Sequence, residues 1–220
     1  MVIASNESGH GVIWSFHSVP TPQRYTWPVT RDELLDQFRR SGALLEGHFR
    51  LSSGLHSAGY LQCALVLQYP ADAEALGRAI AERVRRLKPS VVLSPALGGV
   101  VIGQEVGRGL GVRAIFAERQ DGTMMLRRGF MLGETDRVVV VEDVLTTGGS
   151  TRETMQVARA AGAQVVGVAS IVDRSGGTLA FDVPYESLLQ ITLPTYQPEA
   201  CPLCAKGLPV VKPGSRPVVA

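Results

Sequence analysis

Four short apolar runs constrain the fold of this chain more than any other feature: residues 90–96 (SVVLSPA), 113–116, 137–141 and 165–172. Each is close to continuous in Val, Ile, Leu and Ala rather than alternating apolar with polar, which expects burial on both faces. Between them lie segments whose apolar residues recur at helical spacing. Leu76, Ile80, Val84 and Leu87 mark one such face within 72–87, ended by Pro89. Ile102, Val106 and Leu110 mark a second, and 151–161 a third, stopped by Gly162. Strands of this kind alternating with helices predict an α/β fold: a central, mostly parallel sheet flanked by helices. Ligands in such sheets bind beyond the carboxyl ends of the strands.

The N-terminal third reads differently. Residues 1–28 have no helical or strand period and carry Pro20, Pro22 and Pro28, so an irregular arm is expected over 1–29. Thr30 and Glu33 have capping-box spacing before Leu34, Leu35 and Phe38, and Gly42 stops that helix. Residues 47–68 alternate around Gly54 and read as a strand pair. Residues 118–135 form a polar stretch rich in Gly and Arg.

Bulk properties narrow the function classes. With 220 residues, 45% hydrophobic, there is enough apolar mass for one substantial domain with a small accessory lobe. The net charge is +2, and no Lys/Arg stretch is dense enough for a nucleic-acid partner; Arg83, Arg85 and Arg86 read as the wet face of a helix. No apolar run approaches the ~20 residues that span a bilayer, and no signal-peptide pattern opens the chain. Three cysteines give no even disulfide framework, which suggests a reducing compartment, and a cytoplasmic location is expected.

The chemistry concentrates in VVVVEDVLTTGGST, residues 138–151. Gly148 and Gly149 allow close backbone approach to an anion. Thr146, Thr147, Ser150 and Thr151 add hydroxyl donors, and the helix that follows presents free N–H groups. The spacing and lysine of a Walker loop are missing. The one G-x-G-like run, from Gly107 to Gly111, lies at a helix end and reads as a C-cap. Glu142 and Asp143 would repel a bare phosphate. They make sense if the phosphate carries a sugar whose hydroxyls they accept from, or if a Mg2+ is shared. A ribose 5-phosphate suits both halves. The alternative is a strand–turn–helix whose acids only cap the helix.

The full string resembles the phosphoribosyl-diphosphate (PRPP) motif of the type I phosphoribosyltransferases. Two further segments are similar to the orotate phosphoribosyltransferases within them. GHFRLSSGLHSAGYLQ (47–62) resembles their F-x-L-x-S-G-x-x-S-x-x-Y/F hood segment, and VDRSGG (172–177) their strand-end Asp-Arg. The C-terminal CPLC and GLPVVKPGSRP resemble a tail of one bacterial and archaeal branch. The resemblance covers residues 33–193 and implies transfer of ribose 5-phosphate from PRPP to orotate. It implies PRPP contacts from Glu142, Asp143, Val144, Leu145, Thr146, Thr147, Gly148, Gly149, Ser150 and Arg119. Orotate would meet Thr146 and Arg174, whose guanidinium can grip a carboxylate in two places. Arg119, Asp143 and Glu142 would be the catalytic residues, with Mg2+ held mainly through PRPP rather than by direct protein ligands. The implied organisation is a phosphoribosyltransferase domain at 30–195, its hood from 30–68 and 174–195, a tail at 196–220, and a homodimer in which each subunit's loop reaches its neighbour's site.

Three departures from the family pattern stand out: Ser52 and Gly98 where lysines are common, and a loop (118–129) with Glu118, Arg119, Arg127 and Arg128 but no Lys or His. That loop, from Asp121 to Gly129, is the expected lid. Arg127 and Arg128 read equally as solvated charges, and Arg174 alone could be an ion-pair partner of Asp173. A purine or xanthine phosphoribosyltransferase, or a non-catalytic PRPP-sensing regulator, shares the motif. Cys201 and Cys204 supply only two of the four ligands of a structural zinc, leaving a site shared across a dimer, a loop hairpin or a redox-labile pair open. Cys63 reads as core. His10, His17, His48 and His56 show no metal-site spacing with a partner, although His56 lies near the hood.

Overall fold

The computed structural model describes residues 30–51 and 53–212. The expected arm at 1–29, Ser52 and the last eight positions of the tail lie outside the described residues. Within them the chain forms a six-stranded sheet of order β5-β4-β3-β6-β7-β8 and a separate three-stranded sheet of order β1-β2-β9.

The large sheet is built from β3 (Val91–Pro95), β4 (Arg113–Gln120), β5 (Thr123–Leu126), β6 (Arg137–Leu145), β7 (Gln164–Asp173) and β8 (Tyr185–Gln190). Its β4-β3-β6-β7-β8 pairings are parallel and only β5 runs antiparallel. Continuous apolar strands bury both faces, and here the two faces face two separate cores. Val92, Val139, Val141 and Ile171 pack with α3 (Pro70–Val84) and α4 (Gly98–Leu110). Val91, Leu93, Val138 and Val140 pack with Met155 and Ala158 of α5 (Gly149–Ala160). The predicted α/β architecture is the observed one.

The small sheet consists of β1 (Leu44–Arg50), β2 (His56–Leu61) and β9 (Thr195–Tyr196), all antiparallel. It is preceded by α1 (Arg31–Arg40), whose Thr30–Glu33 capping box is complete in both directions. Gly54 turns the β1–β2 hairpin at φ +85°, a left-handed conformation that favours glycine. A short α2 (Ala64–Leu67) leads from β2 back to the large domain.

Two strands of the large sheet, like the two-residue β9, carry no clear sequence signal. The polar Gly/Arg stretch contains β5, paired to β4 around a tight turn with Asp121 at φ 51° and Gly122 at φ 82°. Two left-handed residues in a row make the hairpin turn whose twist suits antiparallel strands. Strand β8 was missed because only Leu188 and Leu189 are buried along it; as an edge strand it lacks the continuous apolar signal of its neighbours.

Candidate active site

The parallel strands all end at one edge of the sheet, and the chemistry collects there. Strand β6 delivers Glu142 and Asp143; β7, in register with it, delivers Asp173 opposite Leu145. The Arg174 N–H then donates to Leu145 O at 2.8 Å, which locks the start of the next loop to the end of β6.

Glu142 is buried and its carboxyl pKa is pushed up to about 9, first by loss of hydration and then by hydrogen bonding and repulsion from Asp143. Burial and the neighbouring Asp143 thus favour the protonated form of Glu142. Half-buried Asp143 lies against the loop after β3, where an added Cβ at Gly98 would come 2.7 Å from its Oδ1. Glycine at the position where lysine is common thus has a local reason: any side chain at 98 moves Asp143. The Ala96–Leu97 peptide in this loop is cis.

Beyond the acids the chain turns sharply. Gly148 has φ +74°, and a Cβ on it would meet Arg152 Nη1 at 2.6 Å and Leu179 at 2.9 Å. Helix α5 begins there with no side-chain cap and no acid in its first turn. Thr146, Thr147, Gly149 and Ser150 are exposed. Thr151 is buried, and its Oγ1 has no hydrogen-bond partner among the described residues. An uncapped helix start with hydroxyls around it attracts an anion through its free N–H groups and dipole. This is the segment where the sequence expects a phosphate cradle. Val144 is half-buried and Leu145 is core, so both shape the corner from behind.

Arg152 was not among the expected residues, yet it braces the cradle. Its Nη1 donates to Thr147 O at 2.9 Å and its Nη2 to Ala180 O at 2.8 Å, with the guanidinium over the Phe181 ring. An Arg inside TTGGSTR carries no local signal of this, because both carbonyls come from loops.

Arg174 is half-buried, its pKa is lowered by burial while Tyr60 and Cys63 act to raise it, and its Nε lacks a partner among the described residues. The bland alternative, an ion pair with Asp173, is not what forms: Asp173 accepts from the Ser175 N–H at 2.7 Å. Tyr60 belongs to β2, so the hood and Arg174 come together over the same edge. Cys63 is fully buried, with its Sγ 3.9 Å from Asp143 O and its thiol pKa raised by burial and by the two acids. It is core, as expected.

Arg119 sits elsewhere. It lies on β4 next to the hairpin turn, donates to Gly122 O at 2.8 Å and pairs with Glu153 of α5 at 2.6 Å rather than with Glu142 or Asp143. Arg127 and Arg128 both pair with Glu118, at 3.5 and 3.0 Å, and Arg128 also lies over Phe116. The segment expected as a lid is thus an arginine-bearing β-hairpin.

One grouping corrects the sequence reading outright. His48 and His56, read there as histidines with no metal-site partner, gather with Cys201 and Cys204, the ligand atoms all within 4.8 Å of one another. Spacing hid this, because 148 residues separate His56 from Cys204.

Among known proteins, residues 65–197 match the family model described as phosphoribosyl transferase domain. An orotate phosphoribosyltransferase of Carboxydothermus hydrogenoformans is 53% identical over 186 residues, covering 84% of this chain and 97% of that protein. One from Chlorobaculum parvum is 54% identical over 188 residues, covering 86% and 97%. Among solved structures, the Mycobacterium tuberculosis H37Rv orotate phosphoribosyltransferase in complex with PRPP superposes with a TM-score of 0.58 at 27% identity, covering 73% of this chain and 95% of that one.

Proposed function

The chain belongs to the phosphoribosyl transferase domain family, with orotate phosphoribosyltransferases as its close relatives, and from that premise we infer how its residues divide the work. The activity is transfer of the ribose 5-phosphate of PRPP to orotate, giving orotidine 5′-phosphate and diphosphate in pyrimidine nucleotide synthesis. The observation that carries the division of roles is the end of β6: two adjacent acids, the buried Glu142 and half-buried Asp143, a few residues ahead of an uncapped helix start ringed by hydroxyls.

The 5-phosphate takes the α5 N-terminus, with Thr146, Thr147, Gly148, Gly149 and Ser150 as its cradle, shaped by Val144 and Leu145. The ribose hydroxyls meet Asp143 as acceptor and protonated Glu142 as a donor, which fixes the anomeric carbon in place. Arg174 receives the orotate carboxylate, its unpartnered Nε making a forked contact geometrically natural; Thr146 borders the base. The orotate N1–anomeric carbon bond then forms as the bond to diphosphate breaks; the electron pair leaves on the diphosphate, and the N1 proton passes to the departing diphosphate or to water. Asp143 favours the positive character of the ribose in between, and no protein nucleophile is needed.

Phosphoribosyltransferases generally work with Mg2+ on PRPP. The hard carboxylate oxygens of Asp143 would suit such an ion held mainly by substrate oxygens, where it would supply neutralisation of the diphosphate charge. Arg119 would add to that neutralisation once released from Glu153. The exposed β4–β5 hairpin supports a homodimer in which it serves a neighbouring site, and closure of the hairpin would keep water from the reacting ribose. The three-stranded sheet, with the Arg174 loop, acts as the hood, and the chain works in the cytoplasm. Among the described residues no helix is long and apolar enough to cross a membrane.

The test is base consumption with PRPP and Mg2+ against orotate, adenine, hypoxanthine and xanthine. Consumption of orotate with stoichiometric diphosphate release is expected. Use of a purine instead, or PRPP binding with no base consumed, would reject the assignment.

A further inference from the structure

Outside the transfer site, two histidines and two cysteines converge on one point in the hood. His48 lies where the β1–β2 register shifts between Glu46 and Phe49, and His56 opens β2. Cys201 is the N-cap of one turn of helix, α6 (Pro202–Ala205), and Cys204 lies within it; Gly207 just beyond has φ +69°. His48, His56 and Cys201 are buried.

The distances are those of ligands around an ion. The two N···S separations to Cys204 are 3.7 Å from His48 Nε2 and 3.3 Å from His56 Nδ1, and Cys201 Sγ is 3.5 Å from His48 Nε2. A tetrahedral zinc with bonds of about 2.3 Å to sulfur and about 2.0 Å to nitrogen sets its ligands roughly 3.5 Å apart for N···S and about 3.3 Å apart for N···N. The observed His48 Nε2 to His56 Nδ1 separation of 2.9 Å needs only a few tenths of an ångström of relaxation.

Proton counting favours a cation over a purely hydrogen-bonded cluster. His48 Nδ1 is 2.8 Å from Leu208 O, a carbonyl that only accepts, so Nδ1 carries the proton and Nε2 is left with a lone pair. That single lone pair faces three groups at once. One hydrogen bond can satisfy it; the other two neighbours then have no role. Protonating Nε2 instead would bury an imidazolium in a group that contains no carboxylate. A cation at the centre uses all four lone pairs, and the Leu208 contact becomes the outer hydrogen bond that orients a metal-bound imidazole.

We propose that His48, His56, Cys201 and Cys204 form a structural zinc site that ties the C-terminal segment to the hood. Two thiolates with two imidazoles at tetrahedral separations select zinc over hard cations. Four protein ligands leave no open position, so the ion does no chemistry on substrate. Its place explains its use. The small sheet has only three strands, one of them two residues long. The ion joins both arms of the β1–β2 hairpin to the segment after β9, and the Val211 backbone continues the tie through bonds to His48 O and from Arg50 N, each 2.8 Å. The hairpin tip held this way, with Leu51 and Gly54, belongs to the segment resembling the base-covering hood.

The test uses the full chain without a histidine tag, purified under reducing conditions. Elemental analysis should give about one zinc per chain, and cobalt substitution should give tetrahedral d–d bands with thiolate charge-transfer absorption. Cys204→Ser and His56→Ala should each cut zinc content about tenfold or more, while Cys63→Ala, outside the cluster, should retain it. Chelation of the wild-type chain should speed proteolysis near Gly54. The proposal is overturned if the reduced chain takes up less than about a tenth of an equivalent from added zinc, or if cobalt binds without thiolate charge transfer. Equal loss of zinc in Cys63→Ala would also overturn it.

Discussion

Helices α1 and α5 both begin after polar, hydroxyl-bearing segments, and they begin in opposite ways. At α1, Thr30 and Glu33 satisfy each other's backbone groups, and Asp32 and Glu33 place negative charge on the positive end of the helix. At α5, Gly148 provides no side-chain cap and the first turn has no acid. The first helix start is closed by its own residues; the second is left for a ligand to close. A missing cap alone is common in this chain, at α3 and α4 too; it is the hydroxyls around the α5 start and the acids just before it that support the proposed anion site there.

The largest effect should come from the acids ahead of α5. Asp143→Asn removes a contact expected to strengthen in the transition state, and turnover should fall by roughly 100–1000-fold, about 3–4 kcal/mol, with the fold intact by circular dichroism. Arg119→Ala should fall in the same range if the hairpin neutralises diphosphate charge; near-normal turnover in both would remove these roles. Ser150→Asp puts a carboxylate into the first turn of α5. PRPP binding by calorimetry should weaken on the order of 100-fold through repulsion, while thermal stability holds or rises slightly. Unchanged affinity would mean the phosphate lies elsewhere.

A pH experiment probes the acids ahead of the cradle. The Glu142 carboxyl has its folded pKa raised from 4.5 to about 9, so its protonated form favours the fold. That contribution is full below about 4.5 and is lost as pH rises through about 9. Glu142→Gln stays neutral throughout. Urea unfolding across this range should therefore show the variant losing less stability than the wild type with rising pH; parallel curves would show that the Glu142 carboxyl is not held protonated by the fold. The smallest effect belongs to α1. Thr30→Ala should cost about 1 kcal/mol of stability and leave both Michaelis constants unchanged.

The two cysteine environments extend the same comparison. Cys63 is enclosed by core and acids, which hold it as an inert thiol. Cys201 and Cys204 instead meet two histidines, a grouping with no use as core packing.

The sheet, its helices and the cradle were legible in the sequence because each depends on neighbours along the chain. A continuous valine run buries two faces whatever lies beyond it, and an acid pair followed by glycines and hydroxyls defines its own turn. Thr30 with Glu33 forms its cap for the same reason. Strands β5 and β8 were not legible, since edge strands are half-polar and are recognised by what they pair with. Arg119's ion pair with Glu153, Arg152's grip on two loop carbonyls, the exclusion of a side chain at Gly98 by Asp143, and the joining of His48 and His56 to Cys201 and Cys204 were decided only by tertiary structure. Each is a contact between residues whose local sequences carry no trace of the other. Local physics sets backbone and burial pattern, whereas coordination, bracing and charge pairing depend on which distant segments the packed sheet and hood bring within a few ångströms.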